Sequence, residues 1–143
     1  YTMNELDINT LMKALDNQDN ESIMNVDHKK IQKIKNDMLQ KLGLDRQKLK
    51  SYHKSLKKYR YIDELPELRY GSYIRWISLK NPENLTLSNG GIVCDIKIHD
   101  GINIICKNNI HRFFQLKMSE CLVFQKLSQQ EQIILSALDY LNE

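Results

Sequence analysis

The chain has 143 residues, of which 41% are hydrophobic and 27% are charged, and its formal net charge at pH 7 is +3. A chain of this length buries a core without disulfide or metal staples, and five glycines and two prolines exclude collagen-like and proline-rich disordered classes. No apolar run in the sequence approaches the roughly 18 residues of a membrane span, so we expect no membrane partner.

The positive charge is concentrated in one block. Residues 26–60 hold twelve Lys and Arg side chains against three carboxylates, whereas residues 1–25 hold one Lys against five acids. Residues 61–143 are slightly acidic. Because attraction to a polyanion depends on where charge is concentrated, the block at 26–60 is the first candidate for a functional surface.

Apolar residues at helical spacing predict three helices before residue 60. The second helix is framed by Asp27 as N-cap and Gly43 as C-cap, and Asp45 caps the start of the third. Their apolar stripes are Ile8, Leu11, Met12 and Leu15, then Ile31, Ile34, Met38 and Leu42, then Leu49, Tyr52, Leu56 and Tyr59. A connection of about three residues predicts that the second and third helices form a helical hairpin over residues 27–60.

After Leu65-Pro66 the hydrophobic period changes from 3.6 to 2, which is typical of strands. Five strands are predicted, near Tyr70–Leu79, Ile92–Ile98, Ile102–Lys107, Arg112–Met118 and Cys121–Lys126. Five short strands in about 57 residues favour a small, mostly antiparallel, Tudor-like β-barrel. Ser128 and Glu131 then form a capping box for a C-terminal helix that closes the barrel.

The expected fold class is therefore α+β, with a helical region over residues 1–65 and a barrel with its closing helix over residues 66–143. The hydrophobic pattern also predicts a register for one hairpin. A three-residue loop at His99-Asp100-Gly101 places Ile98 opposite Ile102 and Cys94 opposite Cys106 in the core.

The three cysteines, Cys94, Cys106 and Cys121, are an odd number at wide spacings. This pattern fits neither a disulfide framework nor a metal site, and indicates a reducing intracellular compartment, the cytoplasm or nucleus. The four histidines show no metal-ligand spacing, and neither a phosphate-binding glycine loop nor a nucleophile elbow occurs. We expect a protein that is not an enzyme and needs no metal or cofactor.

Lysines form the candidate nucleic-acid-binding set. Helical projection places them away from the apolar stripes of the hairpin. The set is Lys29, Lys30, Lys33, Lys41, Lys48, Lys54 and Lys58. No Glu occurs between Val26 and Arg60, although ordinary solvated helix faces mix Glu with Lys. Contact with phosphates is favoured, and a plain solvated face or an acidic protein partner remain as alternatives.

A second candidate site is aromatic. Tyr70, Tyr73 and Trp76 lie close together in the sequence, and small barrels use exposed aromatic side chains to hold peptides, methylated side chains or bases. The competing interpretation, which we favour, places these rings in the core. The adjacent Phe113 and Phe114 are expected to point to opposite sides of their strand.

The run from Leu65 to Ile77, together with Asn89-Gly90-Gly91-Ile92, resembles small uncharacterised proteins of nucleocytoplasmic large DNA viruses. The resemblance covers about the last 75 residues and implies a viral protein made in a host cell and packaged in virions. The overall hypothesis is a non-enzymatic architectural protein that binds double-stranded nucleic acid without sequence preference. The alternative is a protein-interaction module in a larger virion, replication or transcription assembly.

Overall fold

A computed structural model describes residues 5–23 and 26–141 of the chain. The expected α+β class is confirmed, since the described residues form four α-helices and a six-stranded antiparallel sheet. The helices are α1 (Glu5–Asp16), α2 (His28–Gln40), α3 (Arg46–Ser55) and α4 (Gln129–Leu141). The strands are β1 (Tyr59–Ile62), β2 (Tyr73–Ser78), β3 (Gly91–Ile98), β4 (Ile102–Lys107), β5 (Phe113–Lys117) and β6 (Cys121–Lys126).

The chain divides into two compact units, one of residues 1–33 with 127–143 and one of residues 34–126. The second unit contains the whole sheet together with α3 and the greater part of α2. These bounds differ from the division at residues 65 and 66 that the change of period suggests. That residues 1–65 and 66–143 fold separately stays a prediction.

The first unit is helical. Its core is built from Ala14, Ile23, Ile31, Leu127, Ile134 and Leu135. The predicted capping box opens α4, because the Ser128 amide donates to Glu131 Oε1 at 2.9 Å and the Glu131 amide donates to Ser128 Oγ at 3.0 Å. The expectation that this helix closes a barrel is wrong: its apolar stripe packs in the same core as α1.

The helices of the basic block begin where the caps predict. The Lys30 amide donates to Asp27 Oδ1 and the Lys48 amide donates to Asp45 Oδ1, each at 2.8 Å. Gly43 adopts a φ of +64°, the left-handed conformation that ends the turn after α2. Tyr59, the last member of the predicted third stripe, lies in β1 because α3 ends at Ser55.

The sheet corrects two details of the expected barrel. It has six strands in the order β1-β6-β2-β3-β4-β5, with β1 and β5 at opposite edges, so it is open and not a closed barrel. The additional strand β1 pairs with β6, with Tyr59 opposite Lys126 and Ile62 opposite Val123. A strand of four residues is too short to show alternation, which is why the hydrophobic pattern did not predict β1.

Each face of the sheet carries its own core. On the face that we call outer, Met38, Leu39, Tyr52 and Leu56 of the helices pack over Tyr59, Ile77, Leu122 and Phe124 of β1, β2 and β6. On the inner face, Ile62 of β1 and Leu116 of β5 belong to one cluster although they lie on the two edge strands. The sheet therefore curls around its inner core without closing.

The β3–β4 hairpin follows the predicted register only near its turn. Ile98 lies opposite Ile102 and Ile96 opposite Ile104, as expected for a three-residue loop. A β-bulge between Val93 and Asp95 then shifts the pairing, so that Cys106 lies opposite Val93. The expectation that Cys94 opposes Cys106 in the core is wrong, because Cys94 is the exposed extra residue at the bulge while Cys106 is buried.

Candidate nucleic-acid interface

Helix α3 presents a row of cations to solvent. Its inward stripe, Leu49, Tyr52 and Leu56, packs in the outer-face core. Residues four apart on a helix lie about 6 Å from each other on the same side. Arg46, Lys50 and Lys54 therefore form an exposed row, and the exposed Lys57 and Lys58 follow in the next turn. We call these five side chains the α3 basic row.

No carboxylate neutralises this row within the described residues. The sequence from Arg46 to Ile62 contains no Asp or Glu. The nearest acid before it, Asp45, accepts the amide of Lys48 as the helix N-cap. Ion pairs of this unit lie elsewhere, among them Arg60–Glu67, Lys80–Glu120 and Lys117–Asp100. The row thus keeps its charge available to an external anion.

The structure places the predicted lysines in both units. Lys29, Lys30 and Lys33 are exposed on the first turns of α2 in the first unit. Lys41, Lys54 and Lys58 are exposed in the second unit, where Lys48 is half-buried with its Nζ 5.9 Å from the Tyr52 ring centroid. Sequence reasoning missed Arg46, Lys50 and Lys57, although their exposed positions follow from the same helical projection.

Lys35 is the exception among the lysines of the basic block. Its side chain is 1% exposed, and its Nζ donates to the carbonyls of Leu56 at 2.8 Å and Tyr59 at 2.9 Å. Burial lowers the pKa of Lys35 to about 8. The ammonium group therefore ties the carbonyl end of α3 to the start of β1, a favourable place for a cation. The signal was present, since Lys35 lies four residues from both Ile31 and Leu39 on the buried stripe.

The imidazole of His53 lies on α3 beside this buried ammonium. Burial, and then the charge of Lys35, lower the pKa of His53 below its ordinary value. Both effects favour the neutral form of the imidazole, so we do not count His53 in the α3 basic row.

The three candidate pocket aromatics are not brought together. Tyr70 is 63% exposed in the turn before β2. Tyr73 lies on the outer face, where its hydroxyl donates to the Asn89 carbonyl at 2.6 Å. Trp76 packs against the inner core, with its ring centroid 6.4 Å from that of Phe114. Tyr73 and Trp76 thus lie on opposite faces of β2, and Trp76 serves partly as core.

Trp76 also borders a cleft of about 410 Å³. The cleft is lined in part by Lys80, Lys117 and Glu120. Lys80 and Glu120 pair at 2.8 Å, and the hydrogen bond to Glu120 raises the pKa of the exposed Lys80. Lys117 Nζ lies 3.5 Å from Asp100 Oδ2. Because both lysines already have acidic partners, we expect this cleft to attract an anion less strongly than the α3 basic row does.

A buried polar cluster fixes the segment between β1 and β2. Arg60 pairs with Glu67 at 2.6 Å. Gln125 Oε1 accepts from the Arg69 amide and the Ser72 hydroxyl, while its amide nitrogen donates to the Glu67 carbonyl. Nη1 of Arg60 is the one buried side-chain donor without a hydrogen-bond partner in the described residues. These polar groups therefore position the chain and are enclosed by it, away from an external ligand.

Other classes of site find no support in residues 5–23 and 26–141. Within those ranges, no three or more His, Cys, Asp or Glu side chains gather in a way that would hold a metal ion. No helix described there has the length and apolar character to cross a membrane.

Comparisons with protein families, curated proteins and solved structures find no match to this chain. The function must therefore be argued from the chemistry of its own surfaces.

Proposed function

We propose that this protein is a non-enzymatic nucleic-acid-binding protein that holds double-stranded nucleic acid through phosphate contacts. The observation that carries the proposal is the α3 basic row, five exposed cations that no described carboxylate pairs. Lys41 and Lys48 lie close to it in sequence and extend the positive charge. Exposed cations on a helix buried along its other side are a typical phosphate-binding arrangement.

The chemistry of the row favours binding without sequence preference. Four of its five members are lysines, and an ammonium group is a point charge that neutralises a phosphate wherever it lies. Arginine, whose planar fork reads guanine in two contacts, occurs only once, at Arg46. We therefore expect these side chains to contact the phosphates of the nucleic acid and to make no contacts that distinguish one base from another.

The test is the salt dependence of binding to a random-sequence duplex. Each phosphate neutralised contributes about −0.9 to the slope of log affinity against log salt, so five contacts predict a slope near −4.5. The double variant Lys50→Glu with Lys54→Glu removes two contacts. It should flatten the slope by about 1.8 and weaken all sequences equally, by at least about tenfold at low salt.

The matched control reverses Lys13 and Lys126, which are exposed lysines outside the row. This control changes the net charge by the same amount but leaves the α3 basic row intact, so its slope should stay close to that of the unmodified protein. The proposal fails if duplex binding is undetectable at about 50 mM salt, or if the two double variants weaken it equally. Either result would favour the protein-interaction alternative, in which a partner is retained at high salt.

A further inference from the structure

Half of the outer sheet face is not covered by the helices. The strand register shows which side chains share this face, since directly opposed residues of antiparallel strands point the same way. The helices cover the half formed by β1, β6 and β2. From Tyr73 of β2 the pairing continues outward, since Tyr73 lies opposite Ile92, Ile92 opposite Lys107, and Lys107 opposite Phe113. The outer face therefore continues from β2 across β3, β4 and β5.

The exposed part of this face is a small grid of side chains. On β4 and β5 it pairs Lys107 with Phe113, Ile105 with Gln115 and Asn103 with Lys117. We call these six residues, together with Ile92, Asp95 and Lys97 of β3 in the same three rows, the outer grid. None of the nine belongs to either core of this unit.

The grid combines an exposed ring with positive charge. Phe113 is 65% exposed, and Lys107 Nζ lies 5.7 Å from its ring centroid. Lys97 is exposed, whereas Lys117 in the same row is half-buried and pairs with Asp100 at 3.5 Å. The single carboxylate of the grid, Asp95, accepts its neighbour's amide, from Ile96 at 2.9 Å. Lys97 and Lys107 have no carboxylate partner within the described residues, so these two lysines make the face complementary to an anionic ligand.

The grid also contains one exposed side-chain amide, that of Gln115, which can form a hydrogen bond to the edge of a base. Gln115 Nε2 donates to Asn103 Oδ1 at 3.4 Å, and Asn103 Nδ2 donates to the His99 carbonyl at 2.8 Å. Within the described residues, the carbonyl oxygen of the Gln115 side chain is therefore left to accept from a ligand. Rows of a strand repeat every two residues, about 6.6 Å, which is close to the spacing of successive nucleotides in an extended strand.

We propose that the outer grid binds single-stranded nucleic acid, with a base stacked on Phe113 and the backbone held by Lys97 and Lys107. An unpaired base offers a π-face to an aromatic side chain, whereas a duplex hides its bases in the stack. The α3 basic row is on a helix that packs on the same side of the sheet. The inference rests on the proposed function, because it assigns this second surface to the same class of ligand.

The experiment compares two probes, a fluorescently labelled 12-nucleotide pyrimidine strand and a random-sequence duplex, by anisotropy. Phe113→Ala should weaken binding of the single strand by at least about fivefold and leave binding of the duplex unchanged. Phe113→Tyr, which keeps the ring, should retain the affinity. Tyr70→Ala is the control, because Tyr70 is an aromatic of similar exposure outside the grid.

The outcomes separate this inference from the proposed function. Equal loss of single-strand binding in Phe113→Ala and Tyr70→Ala, or no loss in Phe113→Ala, overturns the inference, while loss of duplex binding in Lys50→Glu with Lys54→Glu still supports the proposed function. Single-strand binding that depends on Phe113, without any duplex binding, supports the inference and overturns the duplex proposal. Failure of the unmodified protein to bind either probe overturns both.

Discussion

The two halves of the sheet differ in how many of their faces are buried. In β6, four consecutive residues, Leu122 to Gln125, are buried, because the helices cover the outer face and the curled sheet covers the inner one. In β3, buried Gly91 and Val93 alternate with exposed Ile92 and Cys94. The same sheet thus contains a half that is interior on both sides and a half that keeps one side in solvent.

Under the proposed function, this difference separates the half of the sheet that stabilises the fold from the half that we expect to contact a ligand. A strand buried on both faces contributes to stability, because its side chains have partners within the protein. A strand with one open face still presents polar and aromatic groups to solvent at regular spacing. The stability of the protein should therefore depend on the covered half, and its recognition of ligands on the open half and the α3 basic row.

The largest effect is expected from a matched pair of phenylalanines. Phe124 is 0% exposed and contacts the Tyr61 ring edge-on at 5.8 Å between centroids, whereas Phe113 is 65% exposed. Phe124→Ala should lower the free energy of unfolding by about 3–5 kcal/mol. Phe113→Ala should lower it by less than about 1 kcal/mol.

Urea unfolding followed by far-ultraviolet circular dichroism measures both values. Should Phe124→Ala not fold, Phe124→Leu provides the smaller truncation, with an expected loss of about 1–2 kcal/mol. Similar losses at positions 113 and 124 would contradict the contrast between the open and covered halves.

Gly90, at the junction of the two halves, provides the second test. Its φ is +92°, and a Cβ at this position would lie 2.4 Å from the Ile74 carbonyl oxygen. Gly90→Ala should therefore cost about 2–3 kcal/mol, from backbone strain and from the displaced strand. Gly43→Ala is the control, because its φ of +64° is also strained but no atom lies within 4 Å of the added Cβ. Gly43→Ala should lower the free energy of unfolding by about 1 kcal/mol, as measured by thermal unfolding. Equal losses in the two variants would show that the contact with the Ile74 carbonyl oxygen does not contribute.

Lys35 provides a pH-dependent test of the helix-covered half. Since burial lowers its pKa to about 8 from the ordinary 10.5, the folded chain releases this proton at lower pH than the unfolded chain does. The contribution of Lys35 to stability should therefore increase as the pH rises from about 8 to 10.5.

The comparison is with Lys35→Met, which removes the titrating group and its hydrogen bonds to Leu56 and Tyr59. We expect a loss of about 1–3 kcal/mol at pH 7, and a larger difference from the unmodified protein at pH 10. A difference between the two proteins that stays constant from pH 7 to 10 would show that the ammonium group is not desolvated.

The smallest effect concerns reactivity rather than stability. Cys94 is exposed on β3, while Cys106 on β4 is buried and its pKa is raised to about 11, by burial and then by the Cys94 charge. Iodoacetamide at pH 8 should modify Cys94 first and Cys106 only after unfolding, because the thiolate is the nucleophile. Mass spectrometry of peptides over time measures the order. Rapid modification of Cys106 in the folded protein would contradict the inner-core assignment.

Five of the six strands were predictable from alternation, with two of them, Ile102–Lys107 and Cys121–Lys126, at their observed bounds. The caps at Asp27, Asp45 and Ser128 were predictable as well, because a cap depends on a side chain and amides within three residues. The candidate site was predictable as a charge block but not in detail. The helical spacing indicates that Lys35 lies on the buried stripe and Lys50 on the exposed side, but it does not show that the Lys35 ammonium group donates to the carbonyls of Leu56 and Tyr59.

The sequence by itself determined the α+β class, the starts of α2, α3 and α4, most strands and the concentration of lysines, because each depends on neighbours a few residues apart. Only the tertiary structure decided that β1 joins β6, that α4 packs in the core that contains Ala14 of α1, that Phe113 remains in solvent and that Cys94 leaves the core at a bulge. Those outcomes depend on which surfaces far apart in the chain compete to bury apolar area and satisfy polar groups. A local hydrophobic pattern indicates how many faces of a segment can be buried. The segments that pack against it in the folded chain determine how many of those faces are buried.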